Sequence, residues 1–242
     1  MTVDDERAEH RAELRLLSAG AAQNVATTLI PAFGAATGAR VRTSFTAVGE
    51  LKERLLGAER CDVIVSTAAM VDQFARSGKI VAASIRPLGH VHTGIAVRSG
   101  KPAPAIGSGA ELRESLSAAT GICVPDPERA TAGIHFLKVL RALGLHDTLA
   151  PRLRMYPNGA GAMRALAESL ESGLVGCTQI TEIKATPGVT LAGALPAPFD
   201  LATLYVSAAC TGATDPELAR RWIEMLTGAD SRALRLNAGF ET

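Results

Sequence analysis

From residue 14 to residue 227 short strand-like runs alternate with longer helix-like ones, and that alternation constrains the fold more than any other property of the chain. Residues 14–17 read as a strand, 25–37 as a helix closed by Gly38, and 41–46 as a second strand with period-two alternation. A helix at 50–56, a buried strand at 62–65, a helix at 68–77 ahead of Gly78 and a strand at 94–98 follow. After Lys101-Pro102-Ala103-Pro104 the pattern restarts. Helices at 110–118, 131–143 and 160–172 interleave with strands at 122–124, 153–156 and 175–178. Strands at 191–195 and 201–207 and a helix at 216–227 complete the order. Such alternation implies right-handed crossovers and a mostly parallel α/β sheet.

The strand ends carry the chemistry. Residues 14–17 run into Ser18-Ala19-Gly20-Ala21-Ala22-Gln23-Asn24 and then a helix, and the same arrangement recurs at least three times more. Small and hydroxyl-bearing residues ahead of a helix leave first-turn N–H groups where an anion can bind.

At 242 residues the chain exceeds the commonest domain size but suits one two-lobed unit. A formal net charge of +1, with no run of Lys or Arg, gives no electrostatic footprint for nucleic acid or an acidic membrane. Aromatic residues, at 4%, are too few for base-stacking platforms. Cys61, Cys123, Cys177 and Cys210 stand far apart with no C-x-x-C pair and read as buried free thiols. No stretch reaches the roughly 18 apolar residues of a membrane span. Asp4, Asp5, Glu6, Arg7, Glu9 and Arg11 crowd the first residues, where a secretory signal would be apolar. The expectation is a cytoplasmic protein as the sequence stands, and a periplasmic one if a signal was removed.

With the elements placed, the order of loops resembles the type II periplasmic solute-binding fold and, within it, the molybdate-binding-protein family. The landmarks are Ser18 to Asn24, Thr37-Gly38-Ala39-Arg40-Val41, Ala47-Val48-Gly49-Glu50-Leu51, Cys61-Asp62-Val63-Ile64-Val65-Ser66, Asp126-Pro127 with Thr131-Ala132-Gly133, and the closing helix before Gly239-Phe240. The resemblance implies two α/β lobes, residues 1–95 plus 201–242 and residues 96–200, with a ligand cleft between them. It also implies that a small anion is held by hydroxyls and helix-start amides, with Ser18, Val48, Gly49, Ser66, Ala132 and Gly133 at the cleft. Asn24, Ala19, Thr93, Arg129, Thr131, Gln179 and Thr181 join them as candidate ligand-binding residues.

One departure matters. Molybdate binders of this type place a tyrosine just after the strand matching 175–178, where this chain has Gln179-Ile180-Thr181-Glu182. With Pro187-Gly188-Val189 and Gly193-Ala194-Leu195-Pro196, this is similar to a divergent branch that includes aconitate isomerase. A fully ionised oxyanion gains nothing from an adjacent carboxylate, so Glu182 points to a ligand with hydroxyls, acidic C–H groups or several anchors.

Glu182, His92 and Glu50 are the candidate proton-transfer groups. Each has a structural alternative: His92 capping a strand end beside His90, Glu50 stabilising a helix start, Glu182 on an exposed turn. His135, on the first turn of the helix at 131–143, is either a neutral proton acceptor or a packing residue. Arg129 and Arg154 are the cations nearest the second-lobe loops, Arg129 the better placed, and a polycarboxylate needs such a partner. His90 and His92 lack a third ligand at convincing spacing, so no metal is expected, and the reading calls for no cofactor. The function expected is binding of a small organic di- or tricarboxylate, extending to an aconitate-isomerase-like allylic proton shift. The alternative is a molybdate or oxyanion receptor of an ABC transporter, with its permease as partner if the protein is exported.

Overall fold

The computed structural model describes residues 12–242, and the acidic stretch from Asp4 to Arg11 lies outside them. Nine strands are present among the described residues: β1 (Glu13–Ala19), β2 (Arg40–Thr46), β3 (Val63–Thr67), β4 (Arg86–Arg98), β5 (Gly121–Pro125), β6 (Leu153–Tyr156), β7 (Leu174–Gln179), β8 (Val189–Ala194) and β9 (Ala202–Ala209). They join in the order β2-β1-β3-β9-β4-β7-β5-β6, with β8 paired to β4. The architecture is the two-lobed α/β fold expected.

The long β4 links the two halves. Its first part, from Arg86 to His92, pairs with β9; from Thr93 onward it pairs with β7 and β8. The sheet therefore changes partners between His92 and Thr93. The sequence masks this strand's start because Pro87 and Gly89 weaken a strand reading. The structure absorbs both in a register shift, and Gly89 adopts φ +139° where a Cβ would lie 2.4 Å from the Glu241 carbonyl.

The sheet is mixed rather than mostly parallel. β1 pairs with β2 and β3, and β5 with β6 and β7, in parallel through helical crossovers. β4 and β9 carry the chain between the halves without a crossover helix, so their pairings with β3, β7, β8 and each other are antiparallel.

Helices α1 (Gln23–Thr37), α2 (Val48–Leu56), α3 (Ala68–Arg76), α9 (Pro216–Thr227) and α10 (Arg232–Ala238) belong to the first half. The second has α4 (Gly109–Ala118), α5 (Thr131–Ala142), α6 (His146–Leu149), α7 (Gly159–Glu168) and α8 (Ile180–Ala185). Leu14, Leu16, Val63 and Val65 bury one sheet face against Val25, Phe33 and Trp222, while Leu17, Ile64 and Val206 bury the other against Leu51, Val71 and Phe74. In the second half Ile122, Val124 and Val175 meet Leu112, Leu116 and Phe136, and Cys123 and Leu174 meet Ala162, Met163 and Leu166 on the opposite face. Strands covered on both sides read as the near-continuous apolar runs seen in the sequence. All four cysteines are buried free thiols, and no helix among the described residues is long and apolar enough to cross a membrane.

Candidate functional site

Strands β1, β2, β5, β6 and β7 deliver their carboxyl ends to one cavity between the halves. What lines it is set by how the following helices begin. Ala19, Ala47 and Ala130 hold the cap positions ahead of a 3-10 turn (Gly20–Ala22), α2 and α5, and none offers a side chain to the first-turn N–H groups. All three are buried, with 2%, 6% and 7% of their surface exposed. Thr67, Ser108 and Asp215 cap helices that start away from the cavity, whereas α6 and α10, also away from it, have no side-chain cap. Alanine at a cap position costs about 1 kcal/mol relative to Ser or Asp. At these three starts first-turn N–H groups and the positive ends of helix dipoles are left toward the cavity, except the Gly49 N–H, which goes to the Arg129 carbonyl.

The polar side chains there are equally uncommitted. Thr46 Oγ1 and both amide atoms of Gln179 are buried without hydrogen-bond partners. The Tyr205 phenol, brought in by β9, faces Thr131 and Gln179; burial first, and then the nearby Glu182, push its pKa far above the ordinary phenol value. It stays protonated and is a donor at all ordinary pH values. Asn158 caps α7, accepting from Gly161 N–H at 2.8 Å. Among the described residues no Arg, Lys or His lines the cavity, and the space left inside is ≈ 20 Å³.

Glu182 is the site's carboxyl. As the third residue of α8 it reaches back to the Gln179 N–H, the half of a capping box that a glutamate supplies. It also accepts from Thr178 Oγ1 at 2.6 Å and from the Gly159 N–H. Burial nevertheless dominates these three bonds and raises its pKa above the usual carboxylate range. Two glycines make room for it. A Cβ on Gly159 would lie 1.9 Å from Glu182 Oε2, and one on Gly20 would lie 2.6 Å from Oε1.

Beyond Glu182 lies an outer groove of ≈ 270 Å³. One stripe of helix surface, Gly20, Gln23, Asn24 and Thr27, forms one wall. Ala160 and Arg164 of α7 and Ala185 of α8 form the other, with Glu182 bordering both the groove and the cavity.

Of the residues singled out in the sequence, the structure brings Ala19, Val48, Thr131, Ala132, Gln179 and Glu182 to the cavity, and Asn24 to the outer groove. Others lie outside both linings. Ser18 is buried and donates to the Ala19 carbonyl at 3.0 Å. Gly49 gives its N–H to the Arg129 carbonyl at 2.8 Å, and Gly133 packs against the Pro125 and Asp126 carbonyls. Ser66, Thr93 and Thr181 are buried with unpartnered hydroxyls. The Arg129 guanidinium turns outward to Glu53 at 3.2 Å, and Glu50 lies 3.9 Å from Arg54 on its own helix.

His92 sits where β4 changes partners. Its Nδ1 is 2.7 Å from Asp200, and its Nε2 lies 3.1 Å from Glu241 without a hydrogen-bonding angle. The Asp200 bond, then Glu241, raises its pKa despite partial burial. His135 Nε2 bonds the Phe199 carbonyl at 2.7 Å, tying down the segment between β8 and β9. Sequence reasoning did not single out Thr46, Thr178 or Tyr205 for the cavity.

Residues 14–241 match the family described as bacterial extracellular solute-binding protein. An aconitate isomerase from a Pseudomonas species is 27% identical over 225 residues, spanning 90% of this chain and 83% of that protein. The periplasmic molybdate-binding protein of Azotobacter vinelandii has a similar structure, with a TM-score of 0.78 at 17% identity over 95% of this chain and 99% of its own. The sulfate-binding protein of Mycobacterium tuberculosis follows the same fold, with a TM-score of 0.73 at 17% identity over 95% of this chain and 86% of its own.

Proposed function

Because the chain belongs to the bacterial extracellular solute-binding protein family, we propose that it binds a small organic di- or tricarboxylate between its lobes. The observation that carries this reading is the placement, in one cavity, of alanine-capped helix starts beside a buried glutamic acid. The free N–H groups suit one carboxylate of the ligand. Glu182 suits a part of the ligand that bears a proton, a hydroxyl or an acidic C–H, and it repels a fully ionised tetrahedral oxyanion whenever it is itself ionised. The ≈ 20 Å³ of free space is about one water's worth, so such a ligand enters with the lobes parted.

A thermal-shift panel of cis-aconitate, trans-aconitate, citrate, molybdate, tungstate and sulfate tests the reading. Stabilisation by the carboxylates is expected, since a ligand at a hundred times its Kd adds about 2.7 kcal/mol. Stabilisation by molybdate or sulfate alone would overturn it in favour of an oxyanion receptor.

The aconitate isomerase relative favours a second reading, in which the bound ligand reacts. An allylic shift needs no oxidant and no cofactor. The Glu182 carboxylate takes the allylic proton, the electron pair moves across the double bond, and a proton returns to the far carbon. Helix-start amides around the cavity stabilise the enolate-like charge that develops. Its raised pKa suits Glu182 to both halves of the transfer. Interconversion of cis- and trans-aconitate followed by proton NMR in D2O, lost in Glu182→Gln, supports this reading; tight binding without interconversion leaves a receptor. The family's extracellular description favours the exported location, with an ABC permease as partner, and cell fractionation checks it.

A further inference from the structure

Among the described residues no cationic side chain lines the inner cavity, so a ligand with two carboxylates would have only one anchored there. The second anchor is on the other side of Glu182. Gln23, Asn24 and Thr27 lie three and four residues apart, so they share one face of α1, and that face is polar where a helix packed against another half would be apolar. Opposite stands Arg164, exposed on α7 and in no ion pair among the described residues. The groove between them holds ≈ 270 Å³, room for a carboxylate and its solvent. Glu182 and Gly20 border both groove and cavity, with the Glu182 carboxyl lodged between Gly20 and Gly159.

We infer that the outer groove is the second half of the ligand site, in which Arg164, with the Gln23 and Asn24 amides, holds the distal carboxylate of a di- or tricarboxylate. This rests on the proposed carboxylate function and deepens it. A ligand spanning the two spaces passes its middle carbons beside Glu182, the position an abstracted proton must occupy. A guanidinium presents paired donors that match a carboxylate, which an oxyanion held by helix starts alone does not need. The two glycines serve this arrangement as well, because a side chain at either would displace the Glu182 carboxyl from its place between groove and cavity.

Isothermal titration calorimetry with trans-aconitate on the full chain tests it, using the wild type, Arg164→Ala, Arg164→Lys and the control Lys138→Ala. Lys138 is an exposed cation on α5 outside both linings. Arg164→Ala is expected to weaken binding roughly ten- to a hundredfold, the range for losing a charge-assisted bond. Arg164→Lys should recover part of the loss, and Lys138→Ala should leave binding unchanged. Unchanged thermal unfolding of the ligand-free variants shows that the fold is intact. If the wild type binds trans-aconitate and Arg164→Ala binds it equally well, the inference fails and the carboxylate reading stands. If Lys138→Ala weakens binding as much as Arg164→Ala, the effect is one of overall charge and the inference fails. No binding by the wild type sinks the carboxylate reading and this inference together.

Discussion

Glu50 and Glu182 occupy the same local position, the third residue of a helix that starts at the end of a strand, and they have opposite fates. The Glu50 side chain is 42% exposed and approaches Arg54 one turn along its own helix. Glu182 is buried, with three hydrogen bonds on its carboxyl. The helix start alone does not decide between them; the backbone across from it does. At α2 the space is taken by main chain of the other half, because Gly49 donates to the Arg129 carbonyl and a Cβ there would lie 2.8 Å from Arg129 Cα. At α8 the opposing positions are Gly159 and Gly20, which leave a hole of carboxyl size. The lesson is that a carboxylate at a helix start is a stabilising cap by default and becomes a site residue where its surroundings lack side chains.

Adding a methyl group at Gly159 is the strongest way to break that distinction. Gly159→Ala puts a Cβ on top of Glu182 Oε2 and 2.1 Å from Thr178 Oγ1. Gly159 does not adopt a positive φ, so the backbone tolerates alanine and the clash alone is tested. The expected loss is about 1–3 kcal/mol in denaturant unfolding, as for other overpacked sites, together with loss of ligand stabilisation. Gly161→Ala, two residues on, meets nothing closer than 3.4 Å and should be close to neutral. Equal tolerance of both would mean that Glu182 is not wedged where the structure puts it.

Glu182→Gln sharpens the comparison through pH. The folded-state pKa of Glu182 lies above its ordinary value of 4.5, so the folded protein holds this proton more tightly than the unfolded chain does. The stability from this group is therefore full below about pH 4.5 and is lost as pH rises through the folded value. Glutamine keeps the shape but does not titrate. The variant should lack this decline, so that its stability relative to wild type improves with rising pH. Unfolding curves from pH 4 to pH 8 measure this, and parallel curves for the two proteins would remove Glu182 from its buried position. Burial outweighs the bonds to Thr178, Gln179 and Gly159 in this account, and an absent slope would reverse that order.

Much of this was legible from residue order, and the reason for the remainder is physical. Period-two runs such as Val41–Thr46 and helix stops such as Gly38 gave most elements, because local pattern fixes local structure. The mixed sheet was not legible, because nothing in the residues of β9 says that it returns beside β3 and β4 rather than crossing over. The site was partly legible for the same reason. Ala19, Val48 and Thr131 reach the cavity because a strand-to-helix step fixes its own geometry. Tyr205 and Gly159 reach it only through pairings distant in sequence, and Arg129, which looked well placed along the chain, is turned to Glu53.

Gly49→Ala tests the other side of the comparison with a smaller effect. The added Cβ meets the Arg129 main chain, which moves only with the loop before α5. A loss of about 1 kcal/mol is expected in unfolding, at the low end for overpacking, because the halves can separate slightly at this contact. If the ligand draws Gly49 and Arg129 more tightly together, ligand stabilisation in the thermal-shift assay should fall more than the ligand-free stability does. If both fall by the same amount, the contact is structural and does not report closure.

The smallest effect belongs to Glu50→Gln, and its smallness is what the comparison requires. Glu50 is half exposed, has one long approach to Arg54, and is absent from the linings of both the cavity and the groove. Removing its charge costs a weak i,i+4 pair and part of a favourable interaction with the helix dipole, together within about 0.5 kcal/mol. Binding of the carboxylate panel should not change beyond twofold, and turnover, if the protein proves to be an isomerase, should persist. Strong loss of binding in Glu50→Gln with none in Glu182→Gln would invert the assignment. The proton-transfer group would then lie on the helix start that faces Arg129, and the glycines around Glu182 would be packing and nothing more.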